Sequence, residues 1–149
     1  MSCQSEKKDK ENGDSTANSN SAADTLAYDH DSIKVASKNL VVSENMPSDT
    51  TKAVITFPKF SDSTLNKLIE ARVCRNASTP DKSFTSYQQL TANFVKQFDE
   101  YLSFNEDNIQ TWFLDVNVDV IFQTPVLLAL KFTQADYMGG AHPNSSFVY

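Results

Sequence analysis

From Trp112 to Phe122 apolar and polar positions alternate almost without a break. Trp112, Leu114, Val116, Val118, Val120 and Phe122 share one parity. Asp115, Asn117 and Asp119 share the other, bracketed by Phe113 and Ile121. A period of two over that length predicts a strand with one buried and one wet face. Gln123-Thr124-Pro125 predicts a reversal. In the strand that follows, Val126, Leu128, Leu130 and Phe132 fall on one face, with Leu127, Ala129, Lys131 and Thr133 on the other. The turn Tyr137-Met138-Gly139-Gly140-Ala141-His142-Pro143 then leads into a strand-like end at Phe147-Val148-Tyr149.

Upstream, the period changes. Tyr87, Leu90, Phe94, Phe98 and Tyr101, widened by Val95 and Leu102, mark one face of a long helix over Phe84 to Phe104, with Thr85 and Gln88 in capping-box positions. A shorter helix is predicted from Ser61 to about Val73, with Leu65, Leu68, Ile69 and Arg72 along one stripe. Before it, Tyr28 to Val42 reads as a strand pair, or one strand broken near Ser37-Lys38-Asn39. Asn45 to Thr51 reads as a turn, and Lys52 to Phe57 as a strand stopped by Pro58. The element order β-β-α-α-β-β-(β) predicts an α+β domain: an antiparallel sheet with two helices packed on one face.

Composition divides the chain. Residues 1–25 hold almost no large apolar side chains and are expected to be a disordered tether, leaving 26–149 as a single domain. The formal net charge is −6, and the Lys7, Lys8 and Lys10 cluster is interleaved with Glu6, Asp9 and Glu11. Without a basic stripe, no nucleic-acid partner is expected. Val126 to Leu130 is far too short to span a membrane. The two cysteines, Cys3 and Cys74, lie far apart, and a disulfide between them would only tie down a tail.

Candidate chemistry is sparse. His30 lies between Asp29 and Asp31, but consecutive strand residues point to opposite faces and converge poorly on an ion. Asp115, Asn117 and Asp119 could present oxygens to a hard cation, yet such a row is more often a solvated strand face. Glycine occurs only at Gly13, Gly139 and Gly140, so no phosphate-cradling loop is present. No metal, cofactor or catalytic residue is assigned. The adjacent Gly139 and Gly140 permit positive φ and close backbone approach. Two readings stay open for this stretch: a shaped turn whose His142 satisfies a backbone group, or a recognition surface built from Asp136, Tyr137, Gly139, Gly140 and His142.

Ser2-Cys3-Gln4-Ser5 followed by a polar tether resembles the start of a mature bacterial lipoprotein, which implies lipid attachment at Cys3. The acidic residues soon after resemble surface-export signals of some Bacteroidetes lipoproteins. An incidental cysteine in a tail is the competing reading. The stretch from Phe132 to Pro143, with Tyr-x-Gly-Gly-Ala-His at its centre, resembles a family of bacterial cell-envelope domains. That family occurs in the lysozyme-sensing anti-sigma factor RsiV and ahead of the catalytic domain of the peptidoglycan deacetylase PdaC. The resemblance covers about Ile33 to Tyr149. It implies an envelope-exposed α+β module that in some members binds a wall component or a lysozyme-like protein; together with the Cys3 start, the expectation is a non-catalytic binding or sensing module of a lipoprotein, facing periplasm or exterior, with peptidoglycan or a lysozyme-like protein as partner. Membrane contact would then run only through the lipid at Cys3. Alternative functions are an accessory or catalytic role in peptidoglycan modification, with His142 and Asp136 as acid and base, and a spacer for a further C-terminal domain.

Overall fold

The computed structural model describes residues 25–43, 46–105 and 109–148. Seven elements follow in chain order: β1 (Tyr28–Ser43), β2 (Met46–Phe60), α1 (Ser63–Ala77), α2 (Tyr87–Phe104), β3 (Phe113–Thr124), β4 (Leu127–Tyr137) and β5 (Asn144–Val148). They form one five-stranded sheet in the order β1-β2-β3-β4-β5. The domain is α+β, as expected. The sheet, however, is mixed: β2 and β3 pair in parallel, from Lys52 opposite Phe113 to Thr56 opposite Asn117. The reason is connectivity. Two helices link β2 to β3 and return the chain to the starting end of the sheet, so the next strand enters in the same direction.

β1 is one continuous strand with an irregularity between Ala36 and Leu40. The irregularity is pinned from two sides. Ser37 Oγ and Asn39 Nδ2 both donate to Asp99 Oδ1 on α2, while Thr50 Oγ1 lies 2.8 and 2.9 Å from the carbonyl oxygens of Ser37 and Asn39. β2 is longer at both ends than the sequence suggests. Asp49 to Thr51, expected in a turn, pair with β1 or enter the core, and Pro58 lies within the strand opposite His30. The β2–β3 ladder ends at Thr56, so Pro58 has only β1 beside it, and an edge position tolerates a missing N–H.

Asp62 caps α1 by accepting from the Thr64 and Leu65 amides at 2.7 and 3.2 Å. Asn66 then clips the preceding strand end, bonding both the N–H and the carbonyl of Phe60. The helix runs a turn past Val73, which carries Cys74 inside; the buried residues are Ile69, Val73 and Cys74, and Leu68 is exposed. The capping box of α2 sits one residue later than expected: Ser86 accepts from Gln89 N, and Gln89 Oε1 accepts from Thr85 N. Its aromatic stripe roofs the sheet as the period implies, with Tyr87, Leu90, Phe94, Val95 and Phe98 buried.

The core is centred under α1 and α2, where Ala53, Ile55, Leu114, Val116 and Val118 form the floor. At the seam between β2 and β3, the buried Thr51 accepts from the Trp112 amide at 2.7 Å. β3 keeps its alternation as far as Val120. A bulge at Ile121 then breaks the ladder, so Phe122 ends more than half exposed instead of continuing the buried face. The hairpin closes through Pro125 and Val126, which puts Val126 at its tip and not on the buried face of β4.

Candidate functional site

The turn after β4 is built on a strand end. Phe113 pairs with Tyr137 and Leu114 with Asp136. Opposed residues of an antiparallel pair share a face. Asp136 therefore lies with Leu114 on the helix side, while Tyr137 lies with Phe113 on the outer side, their rings stacked at 6.2 Å. The two neighbours do not converge. Asp136 is held by amide donors: Gln134 Nε2 at 3.0 Å on one carboxylate oxygen and Asn144 Nδ2 at 3.3 Å on the other. It ties β4 to the start of β5.

Beyond Tyr137 the backbone enters the left-handed half of conformational space at two successive residues, φ +89° at Gly139 and +113° at Gly140. Any L side chain would be strained there. The tyrosine hydroxyl fastens the turn from inside, lying 2.8 Å from the Gly140 carbonyl oxygen and against the Gln110 side-chain amide. One hydroxyl proton cannot serve two carbonyl oxygens, so a consistent network has Tyr137 donating to Gly140 and the Gln110 NH₂ donating to Tyr137. Gly139 rests over the indole of Trp112; a Cβ added there would lie 3.6 Å from Trp112 Nε1.

Beside the turn is an open hollow of about 190 Å³ lined by Tyr101, Gln110, Trp112, Gly139 and Gly140. Trp112 is its floor, packed among Phe94, Phe98 and Tyr101 with ring centroids 6.2, 5.6 and 5.2 Å away. Tyr101 is its rim, partly open to solvent at the edge of the core. His142 is exposed on the far limb of the turn and, among the described residues, makes no hydrogen bond, so it does not serve a backbone group. Of the five expected residues the fold brings Gly139 and Gly140 to the hollow, ties Tyr137 to Gly140, leaves His142 exposed on the far limb, and holds Asp136 between Gln134 and Asn144, away from Tyr137. Tyr101 and Gln110 were not singled out as site residues. Tyr101 could have been, since it closes the aromatic stripe of α2 where the strand returns; Gln110 carries no signal.

The other candidate clusters are accounted for locally. Asn117 donates to Asp115 at 2.9 Å, and Asp119 lies across from Lys131. Asp31 bonds Lys59 at 3.0 Å, which with the Ser32 amide holds its carboxyl below the usual range, and His30 sits edge-on to Tyr28. Cys74 is buried with a free thiol; Cys3 lies outside the described residues.

The pattern of the family described as "Deacetylase PdaC" matches residues 44–145, spanning β2 to the first residues of β5 and the whole turn. The chain belongs to that family. Two solved structures are similar: a DUF3298 family protein from Pseudomonas aeruginosa (19% identity, TM-score 0.58, 83% of this chain and 50% of that one) and another from Bacteroides fragilis (18% identity, TM-score 0.48, 83% and 56%). The likeness to the first is one of fold. This chain spans about half the length of these relatives. No curated protein matches. The family is one of cell-envelope domains, and no helix among the described residues is long and apolar enough to cross a membrane.

Proposed function

We propose that this domain is a non-catalytic binding module of the bacterial cell envelope, tethered through lipid on Cys3, and that its ligand is the glycan of peptidoglycan. One observation carries the reading. A turn shaped by two positive-φ glycines and held by a tyrosine strap stands beside an open, aromatic-rimmed hollow with room for about six waters. A sugar ring has a similar size. It offers apolar C–H faces to an aromatic rim such as Tyr101 and hydroxyl groups to amides such as Gln110. Stiffening the loop beforehand lowers the ordering cost of binding.

A lysozyme-like protein is the second reading, favoured by the net charge of −6, which draws a cationic enzyme by long-range attraction. Calorimetric titration with soluble wall glycan fragments and, separately, with lysozyme, each at low and moderate salt, distinguishes the two. The expected result is glycan binding that survives moderate salt, with an affinity at least tenfold weaker in Tyr101→Ala and folding intact. Heat with lysozyme alone, fading with salt, selects the second reading. No heat with either at both salts overturns the module.

A further inference from the structure

The end of the sheet opposite the glycine turn has its own chemistry. From Val120 to Leu130 the β3–β4 hairpin carries no charged residue; the nearest charges are Asp119 and Lys131. Such a tip is ordinarily where a soluble protein concentrates polar side chains. Here Val126 is 94% exposed, and Ile121, Phe122 and Leu127 are each more than half exposed. The bulge at Ile121 contributes by turning the strand end away from the core, so these side chains have no roof. A contiguous exposed apolar patch marks a contact surface.

A second, independent observation says what the surface faces. Gln123 Nε2 donates to the carbonyl oxygen of Leu26 at 3.2 Å. Leu26 is itself half exposed and lies one residue past the start of the described chain. The 24 residues before Thr25 therefore join the domain beside the hairpin tip. Tyr28 pairs with Phe60 at this same end. The glycine turn, paired through Phe113 and Tyr137, lies at the other end of β3, roughly 35 Å away at strand rise.

We propose that the hairpin tip, with Leu26, is a membrane-contacting face that dips Val126, Leu127, Phe122 and Ile121 into the headgroup region of the bilayer holding the tether. It rests on the lipid-anchor part of the proposed function. A tethered domain experiences a high local concentration of bilayer, so a small uncharged apolar tip suffices for contact. Contact by this end stands the sheet on the membrane and points the glycine turn outward.

The test couples the full chain through Cys3 to maleimide lipid in phosphatidylcholine vesicles. Cys74 is 1% exposed, with a thiol pushed up to about 11, so coupling at neutral pH selects Cys3. Hydrogen exchange of residues 120–128 should slow at least threefold on vesicles relative to the soluble chain, with residues 137–143 unchanged. A Val126→Glu, Leu127→Glu double variant, both at exposed positions, should fold normally and lose the slowing. Unchanged exchange at 120–128 overturns the proposal. So does slowing that appears without lipid as protein concentration rises, which would assign the tip to a second copy. Mass spectrometry of the natively produced amino-terminal peptide reports lipid on Cys3 separately. A lipidated chain whose tip exchanges freely sinks only this inference, and an unlipidated chain sinks the anchor itself.

Discussion

The sheet is roofed on one half and open on the other, and the two halves obey different rules. Under the helices, β2 and β3 bury every second residue: Thr51, Ala53 and Ile55 on one strand, Leu114, Val116 and Val118 on the next. β4 carries a similar apolar parity in Leu128, Leu130 and Phe132, but almost all its residues are only half buried, and β5 is exposed throughout. Between α1 and this open half runs a shallow cavity of about 190 Å³, with Val73 on one wall and Phe132 and Val148 on the other. The lesson is that an alternating pattern specifies a face, whereas burial depends on what else in the fold reaches that face. Stability should therefore reside in the roofed half. The open half has surface left for contacts, and the glycine turn at its edge is held by Tyr137 and not by a roof.

The sharpest way to break this division is a pair of identical truncations. Phe98 is fully buried against Trp112. Phe98→Ala should cost about 3–5 kcal/mol of unfolding free energy, the usual range for a buried phenylalanine. Phe132 pairs with Val118 on the same sheet face, yet is only partly covered. Phe132→Ala should cost about half as much. Urea unfolding of both variants gives the answer. Equal costs would mean that the open half is packed as firmly as the roofed one.

Smaller effects are expected at the turn. A methyl group at Gly139 would meet Trp112 at an ordinary 3.6 Å, and at Gly140 nothing within 4 Å. Crowding is therefore absent, and any loss comes from the backbone, whose φ values disfavour L residues by roughly 1–2 kcal/mol. Gly139→Ala and Gly140→Ala should each lose about that much in the same unfolding experiment. If both are neutral, the turn can relax into another conformation and is not held by Tyr137 in the way described.

Much of this contrast was legible in the chain, for reasons that can be named. The parity from Trp112 to Val120 and the stripe from Tyr87 to Phe98 are long enough to fix the type and face of their elements. Tyr-x-Gly-Gly-Ala-His marked the turn because positive φ needs glycine. The parallel pairing of β2 and β3 was not legible: Ala53 and Ile55 would alternate identically beside an antiparallel neighbour. Nor was the exposure of Phe122 and Val126, because a bulge at Ile121 and a two-residue turn shift positions that a strict period assigns inward. At the site, the sequence could name Asp136 and Tyr137 together, but with Tyr137 read as the first turn residue it did not show that β4 runs through both and sends them to opposite faces. Gln110 lies in an irregular approach to β3, where no period applies.

A pH-dependent effect sharpens the contrast from the roofed side. Burial pushes the Cys74 thiol up to about 11, with the Glu70 carboxylate adding to the shift; burial likewise raises the Tyr87 phenol. A group raised in the folded state favours folding while it is protonated. Its contribution is complete below the unfolded thiol value of about 8.5 and is lost as pH climbs toward 11. Unfolding free energy should therefore fall from about pH 8.5, and up to about pH 9 the fall belongs mainly to the thiol, because an unfolded tyrosine is half ionised only near pH 10. Cys74→Ala should flatten that fall, whatever the variant costs at pH 7 through the space it leaves. The informative quantity is the difference in slope, obtained from urea titrations at several pH values. An unchanged slope would mean that the thiol reaches solvent in the native state, and that the roof α1 forms is looser than the burial of Cys74 implies.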